Sequence, residues 1–149
     1  MTLVIGVGQA AAGDDGVGLA VIDELERRGV PAGVELRRLA DPSDLLSMLE
    51  GRQAVIIVDA VVSAPAGRVL ELTLEALSAL APAPVSSHGL GVAQALELAR
   101  ALAAGSEFPR VRVIAVAIAL PEGRCEGLSA EVARAVREAA ERVRRMVRA

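Results

Sequence analysis

The stretch Leu3-Val4-Ile5-Gly6-Val7 runs without a polar side chain into the loop Gly8-Gln9-Ala10-Ala11-Ala12-Gly13-Asp14-Asp15-Gly16. A continuous apolar run that ends in glycine is typical of a strand buried on both faces of a sheet. From 16 to 28 the apolar residues recur at helical spacing, and Gly29-Val30-Pro31 ends that pattern. This strand, loop and helix together predict the first unit of a parallel α/β sheet.

The rest of the chain continues the same alternation. We expect four further strands, at 34–39, 54–58, 68–72 and 111–120, and three further helices, at 41–49, 90–104 and 129–146. The strand at 54–58 is predicted to end at Asp59, and 68–72 is predicted as an edge strand or hairpin arm. The order predicts an α/β fold with a mainly parallel, five-stranded twisted sheet, one antiparallel edge strand and helices on both faces. With 149 residues, the chain is expected to form a single domain over 1–149.

Composition excludes several classes of function. Hydrophobic residues make up 53% of the chain and Phe108 is its one aromatic residue, which excludes an aromatic platform for single-stranded nucleic acid. The net charge of −3 gives no general attraction to nucleic acid or to an anionic membrane. The lone Cys125 cannot form an internal disulfide. With no apolar run of roughly 18–20 residues and no signal peptide, we expect a soluble cytoplasmic protein that is a monomer or weak dimer.

Three side chains that can do chemistry are predicted to meet at one edge of the sheet. Asp15 follows the first strand, Asp59 ends the third, and His88, the only imidazole in the chain, lies in a loop before a later helix. Reactive groups gather at the carboxyl ends of strands in such folds. Two carboxylates and one imidazole can bind a transition metal or zinc, or form a general acid/base set.

Each of these residues also has a purely structural interpretation. Asp14 or Asp15 can cap the first helix. Asp59 can accept bonds from nearby backbone amides, and a lone histidine near a helix start is often a packed or capping side chain. The first loop also fits the dinucleotide-binding pattern G-x-G-x-x-A from Gly6 onward, with Asp41 in the ribose position. Two acids near the helix start, however, favour a cation over a phosphate.

Three segments taken together resemble the hydrogenase maturation proteases, the endopeptidases that process the large subunit of nickel-iron hydrogenases. The stretch from Leu3 to Gly18 resembles the opening strand and G-D-D/E-G loop of that family. Val58-Asp59-Ala60-Val61 resembles its V-D-A segment, and Ser86-Ser87-His88-Gly89-Leu90-Gly91 resembles its S-x-H-x-L-G segment. The order and spacing of the segments agree over essentially the whole chain.

The resemblance implies a three-layer α/β/α sandwich and an aspartic-type endopeptidase. It implies that Asp15, Asp59 and His88 are the catalytic residues and bind nickel, and that the partner is the hydrogenase large-subunit precursor, whose C-terminal extension is removed after nickel insertion. No cofactor would be permanently bound, because the substrate supplies the nickel; zinc or cadmium can substitute for it in crystals.

The sequence departs from the family pattern in three places. Gln9 stands where asparagine is usual, Ala40-Asp41-Pro42 replaces a common Gly-Gly pair, and the stretch 119–127 is unusual. The resemblance therefore does not indicate which hydrogenase is processed. Two other functions remain open from the residues alone: a nucleotide- or small-molecule-binding α/β module, and a nonproteolytic adaptor in hydrogenase assembly.

Overall fold

A computed structural model describes residues 1–80, 91–103, 107–119 and 127–148, without the side chains of 10–12 and 80. Five strands form one sheet in the order β2-β1-β3-β5-β4, and only the β4–β5 pair is antiparallel. The mainly parallel sheet with an antiparallel edge strand is thus confirmed. The strands are β1 (Thr2–Val7), β2 (Val34–Leu39), β3 (Ala54–Val62), β4 (Val69–Thr73) and β5 (Arg110–Ile118).

Five α-helices and two 3₁₀ turns are found in the described residues. The helices are α1 (Val17–Arg28), α2 (Leu45–Met48), α3 (Leu74–Leu80), α4 (Val92–Leu102) and α5 (Ala130–Arg148), and the 3₁₀ turns are Ala10–Gly16 and Pro42–Asp44. Asp41 caps the second turn by accepting the Ser43 N–H at 3.0 Å.

The helices cover the sheet in two layers because residues along each central strand alternate between two apolar cores. Leu3 and Ile5 of β1 face a core shared with α2, α3 and α4. Val4 lies in the opposite core, which β1 shares with α1 and α5. The three-layer α/β/α arrangement is therefore confirmed, and aliphatic side chains build both cores.

Helix α3 is absent from the sequence-based prediction. It is short, and its Leu74 and Leu77 are the residues that reach the core. Its start has a readable signal, because the Thr73 hydroxyl oxygen accepts the Ala76 N–H at 3.1 Å, which is a helix-capping contact. In the described part of the chain, no helix combines the length and the hydropathy that a membrane span requires.

Candidate active site

The first helix packs directly on the carboxyl ends of two neighbouring strands. Gly18 of α1 lies so close to β1 and β3 that a Cβ there would meet the carbonyl oxygens of both Val7 and Val58. The close approach depends on glycine at this position. It places the start of α1 over the crevice between β1 and β3, the point where the strand order changes direction. Ligands bind at such points in open α/β sheets.

The loop between β1 and α1 is folded tightly against the end of β1. It forms the 3₁₀ turn Ala10–Gly16, and Gly8 has φ of 155° and lies against the backbone carbonyl of Asp15. A side chain at Gly8 would collide with that carbonyl. The N-cap of α1 is Gly16, so the interpretation of Asp14 or Asp15 as its capping side chain is wrong.

Asp14 instead binds a residue from the other end of the chain. Its Oδ1 accepts the Ser129 N–H at 2.6 Å, and its Oδ2 accepts the Ser129 hydroxyl at 2.9 Å. Ser129 directly precedes α5, and its carbonyl oxygen accepts the Ala133 N–H at 2.8 Å, the first turn of that helix. A carboxylate at a helix N-terminus is electrostatically favourable. Asp14 therefore joins the loop after β1 to the start of α5.

Asp59 lies within β3 rather than at its end, which corrects the predicted boundary. The pairing of β1 with β3 stops at Val58, whereas the pairing of β3 with β5 continues from Asp59 to Val62. Continued pairing with β5 keeps the extended backbone of β3 regular past the end of β1. Asp59 is thus the first β3 residue without a β1 partner, and its half-buried carboxyl group lies where the crevice opens.

The two carboxyl groups interact, and both have raised pKa values. Burial raises the pKa of Asp59 to about 8; the Ala60 N–H opposes this rise, and the negative charge of Asp15 adds to it. Partial burial of the carboxyl group also raises the pKa of Asp15. Titratable groups shifted by desolvation and by a charged neighbour in a cleft are typical of functional sites. A proton shared by the pair, or a bound cation, relieves the repulsion between them.

His88, the third predicted ligand, lies outside the described residues, as does Cys125. Within the described ranges no group of three His, Cys, Asp or Glu side chains has the spacing of a metal site. The structure thus brings together Asp15 and Asp59 of the predicted set. Sequence reasoning missed Ser129 as a partner at this edge: a serine before a helix indicates a cap, but gives no sign of a bond to Asp14.

Two observations count against the dinucleotide interpretation of the first loop. The space beside Gly8, where a pyrophosphate would approach, faces the carbonyl oxygen of Asp15, which repels phosphate oxygens. The predicted ribose contact, Asp41, already accepts the Ser43 N–H. The loop therefore favours a cation.

A separate cavity of about 370 Å³ opens at the opposite edge of the sheet. It lies between the residues after α2, the end of α4 and the start of β5, and Leu49, Leu102 and Phe108 line it. Since it lies at the amino ends of β3 and β5, it is not part of the carboxylate crevice.

Comparisons with known proteins agree with the fold. The family model described as hydrogenase maturation protease matches residues 20–146. Hydrogenase 2 maturation protease of Escherichia coli K12 is 35% identical over 113 residues, a segment that is 72% of this chain and 66% of that protein, just under two thirds of its length.

Solved structures show the same similarity. The hydrogenase maturating endopeptidase HybD from E. coli superposes with a TM-score of 0.82 at 30% identity, over 99% of this chain and 91% of that one. The hydrogenase 2 maturation peptidase from a Thaumarchaeota archaeon gives a TM-score of 0.68 at 28% identity, over 98% of this chain and 97% of that one. The relatives named in these comparisons are proteases, hydrolases that act on peptide bonds.

Proposed function

Starting from the fact that this chain belongs to the hydrogenase maturation protease family, we propose that it is the endopeptidase that removes the C-terminal extension of a nickel-loaded hydrogenase large-subunit precursor. The observation that carries the proposal is the juxtaposition of Asp15 and Asp59 at the crevice between β1 and β3. Two oxygen ligands held at the mouth of a cleft suit a cation that arrives with the substrate.

The nickel in this proposal is part of the substrate. Asp15, Asp59 and His88 would supply three ligands to it, and thiolates of the precursor would supply the others. A set of three protein ligands with open coordination positions binds a free ion more weakly than a complete set. Precursor that carries nickel is therefore bound in preference to empty precursor, because selectivity equals the difference between the two affinities.

The raised pKa values support this role. A carboxyl group with a pKa of about 8 keeps its proton at neutral pH when no cation is present, so the empty crevice avoids two adjacent negative charges. Nickel displaces that proton and restores the charge balance. The compartment that we propose from the lone Cys125 is the reducing cytoplasm.

The test is processing of a nickel-loaded precursor by Asp15→Asn, Asp59→Asn and His88→Ala variants. We expect each substitution to stop release of the C-terminal peptide, read by mass spectrometry, while circular dichroism shows an intact fold. Asp44→Asn, an exposed carboxylate in the turn before α2, is the matched control and should process normally. Normal cleavage by all three site variants would contradict the proposal, and binding of precursor by the wild type without peptide release would indicate an adaptor.

A further inference from the structure

We infer that Asp14 is a positioning residue, which fixes the turn that carries Asp15 so that the Asp15 carboxylate meets Asp59. The inference rests on the proposed function for its catalytic consequence, and on the geometry of the turn for its structural part. Asp14 itself is assigned no contact with substrate.

The side chain of Asp14 is held at both oxygens by one residue. Ser129 donates its N–H at 2.6 Å and its hydroxyl at 2.9 Å, and the sequence separation of the pair is 115 residues. The backbone of Asp14 is held as well, because its carbonyl oxygen accepts the Val17 N–H at the start of α1. Asp14 is thus fixed to two helices at once.

The anchor on which Asp14 depends is itself rigid. Ser129 directly precedes α5, whose Val132 and Ala139 are fully buried in the core shared with α1. A partner held by a packed helix fixes a loop more precisely than another loop would.

Asp15 is confined from the other side by the strand. Its backbone carbonyl oxygen occupies the position at which a Cβ of Gly8 would lie, so the turn is packed closely against the end of β1. The bonds of Asp14 to Ser129 hold the same turn against the start of α5. The backbone that carries Asp15 is therefore set by two features, close packing on β1 and hydrogen bonds to Ser129.

The experiment compares Asp14→Ala with Asp14→Asn. Asparagine preserves both contacts, since its Oδ1 accepts the Ser129 N–H and its Nδ2 donates to the Ser129 hydroxyl oxygen. Alanine removes both. Ser129→Ala, which removes only the hydroxyl bond, is the milder variant for use if Asp14→Ala does not fold. Thr73→Ala removes the cap of α3 at the opposite edge of the sheet and controls for general loss of stability.

Three quantities are measured: Ni²⁺ affinity of the substrate-free protein by calorimetry, kcat and KM on nickel-loaded precursor, and amide exchange at Gly13–Val17. For Asp14→Ala we expect the Ni²⁺ affinity to fall about tenfold and kcat about 10- to 100-fold, because small misplacements of a catalytic group are costly. Asp14→Asn should recover most of the Ni²⁺ affinity and of kcat, and Thr73→Ala should match the wild type in both quantities.

The outcomes separate this inference from the proposed function. Wild-type Ni²⁺ affinity and kcat in Asp14→Ala overturn it, and so does an Asp14→Asn variant as impaired as Asp14→Ala, since the charge of Asp14 would then act directly. If the wild type neither binds Ni²⁺ nor cleaves precursor, the proposed function fails. Amide exchange then decides the structural part: faster exchange at Gly13–Val17 in Asp14→Ala, but not in Thr73→Ala, supports it, and unchanged exchange overturns it.

Discussion

The negative charge of Asp15 acts on Asp59, adding to the rise that burial gives the pKa of Asp59. The two residues are far apart in sequence and meet for a topological reason. The pairing of β1 with β3 ends at Gly6 and Val58, and β1 ends one residue later at Val7, before the loop that carries Asp15, whereas β3 continues past Val58 with Asp59 as its next residue. The unequal lengths of two neighbouring parallel strands thus create a step in the sheet, with one carboxyl group on each side of it.

We expect Asp59→Asn to stabilise the protein at alkaline pH. The folded-state pKa of about 8 lies above the ordinary value of 3.8, so ionisation of Asp59 opposes folding. The contribution of Asp59 to the free energy of unfolding is fully present below about pH 4, and it is lost progressively as the pH rises from about 4 to about 8. The variant should equal the wild type near pH 4 and exceed it by about 2 kcal/mol above pH 8, a value discounted for the partial exposure of the side chain. Urea unfolding between pH 4 and pH 9 measures the difference.

The difference in unfolding free energy between variant and wild type is the informative quantity, because other carboxylates change the stability with pH in the opposite direction. Hydrogen bonds and ion pairs with arginines lower the pKa values of Glu24, Glu35 and Glu75, whose contributions are lost as pH falls. Those residues are unchanged in Asp59→Asn, so their contributions cancel when the variant is compared with the wild type. Asp44→Asn, which changes an exposed carboxylate, is the control, and its stability relative to the wild type should not change with pH. If the relative stability of Asp59→Asn is also independent of pH, the prediction is wrong.

Cation binding at the crevice should depend on pH with a predictable sign. A metal must displace the proton that Asp59 carries below about pH 8, so the apparent Ni²⁺ affinity should rise about tenfold per pH unit from pH 6.5 to 8 and level off above it. Calorimetry at pH 7 in buffers of different ionisation enthalpy should report about one proton released per Ni²⁺ bound. An affinity that does not change between pH 6.5 and 8 would show that Asp59 is not a ligand.

The sequence is informative about the strands and about the edge of the sheet at which the site lies. Val34–Leu39 has the predicted bounds, and Asp15 and Asp59 meet at the carboxyl-end edge of the sheet, as expected. Both follow from local patterns, since alternating apolar and polar residues predict a partly exposed strand and the strand-end rule predicts where reactive groups gather.

The end of β3 and the partner of Asp14 could not be predicted, because both depend on residues that are distant in sequence. The end of β3 is set by pairing with β5, and a charged residue within an apolar run does not reveal whether a neighbouring strand continues beside it. Asp14 is equally ambiguous: next to a helix start, it predicts a local cap, whereas the folded chain offers it Ser129. Local reasoning favours the near partner because only tertiary packing brings the distant one into range.

The contact of Gly18 with the sheet predicts a large cost for the smallest possible side chain. A Cβ at Gly18 would lie 2.5 Å from the carbonyl oxygen of Val58 and 2.9 Å from the amide nitrogen of Val7, and these atoms belong to paired strands that cannot yield. Gly18→Ala should therefore lower the free energy of unfolding by about 3 kcal/mol, or prevent folding. It should also displace α1 and with it the Asp15 turn.

Gly91→Ala is the matched control. Among the described residues, a Cβ there meets only the end of the Gln94 side chain, which can rotate away, so the substitution at the N-cap of α4 should cost less than about 1 kcal/mol. Chemical denaturation of both variants measures the contrast. Equal stability losses for the two would mean that α1 can move off the strands without penalty, and that the site does not depend on close packing of α1 at the step between β1 and β3.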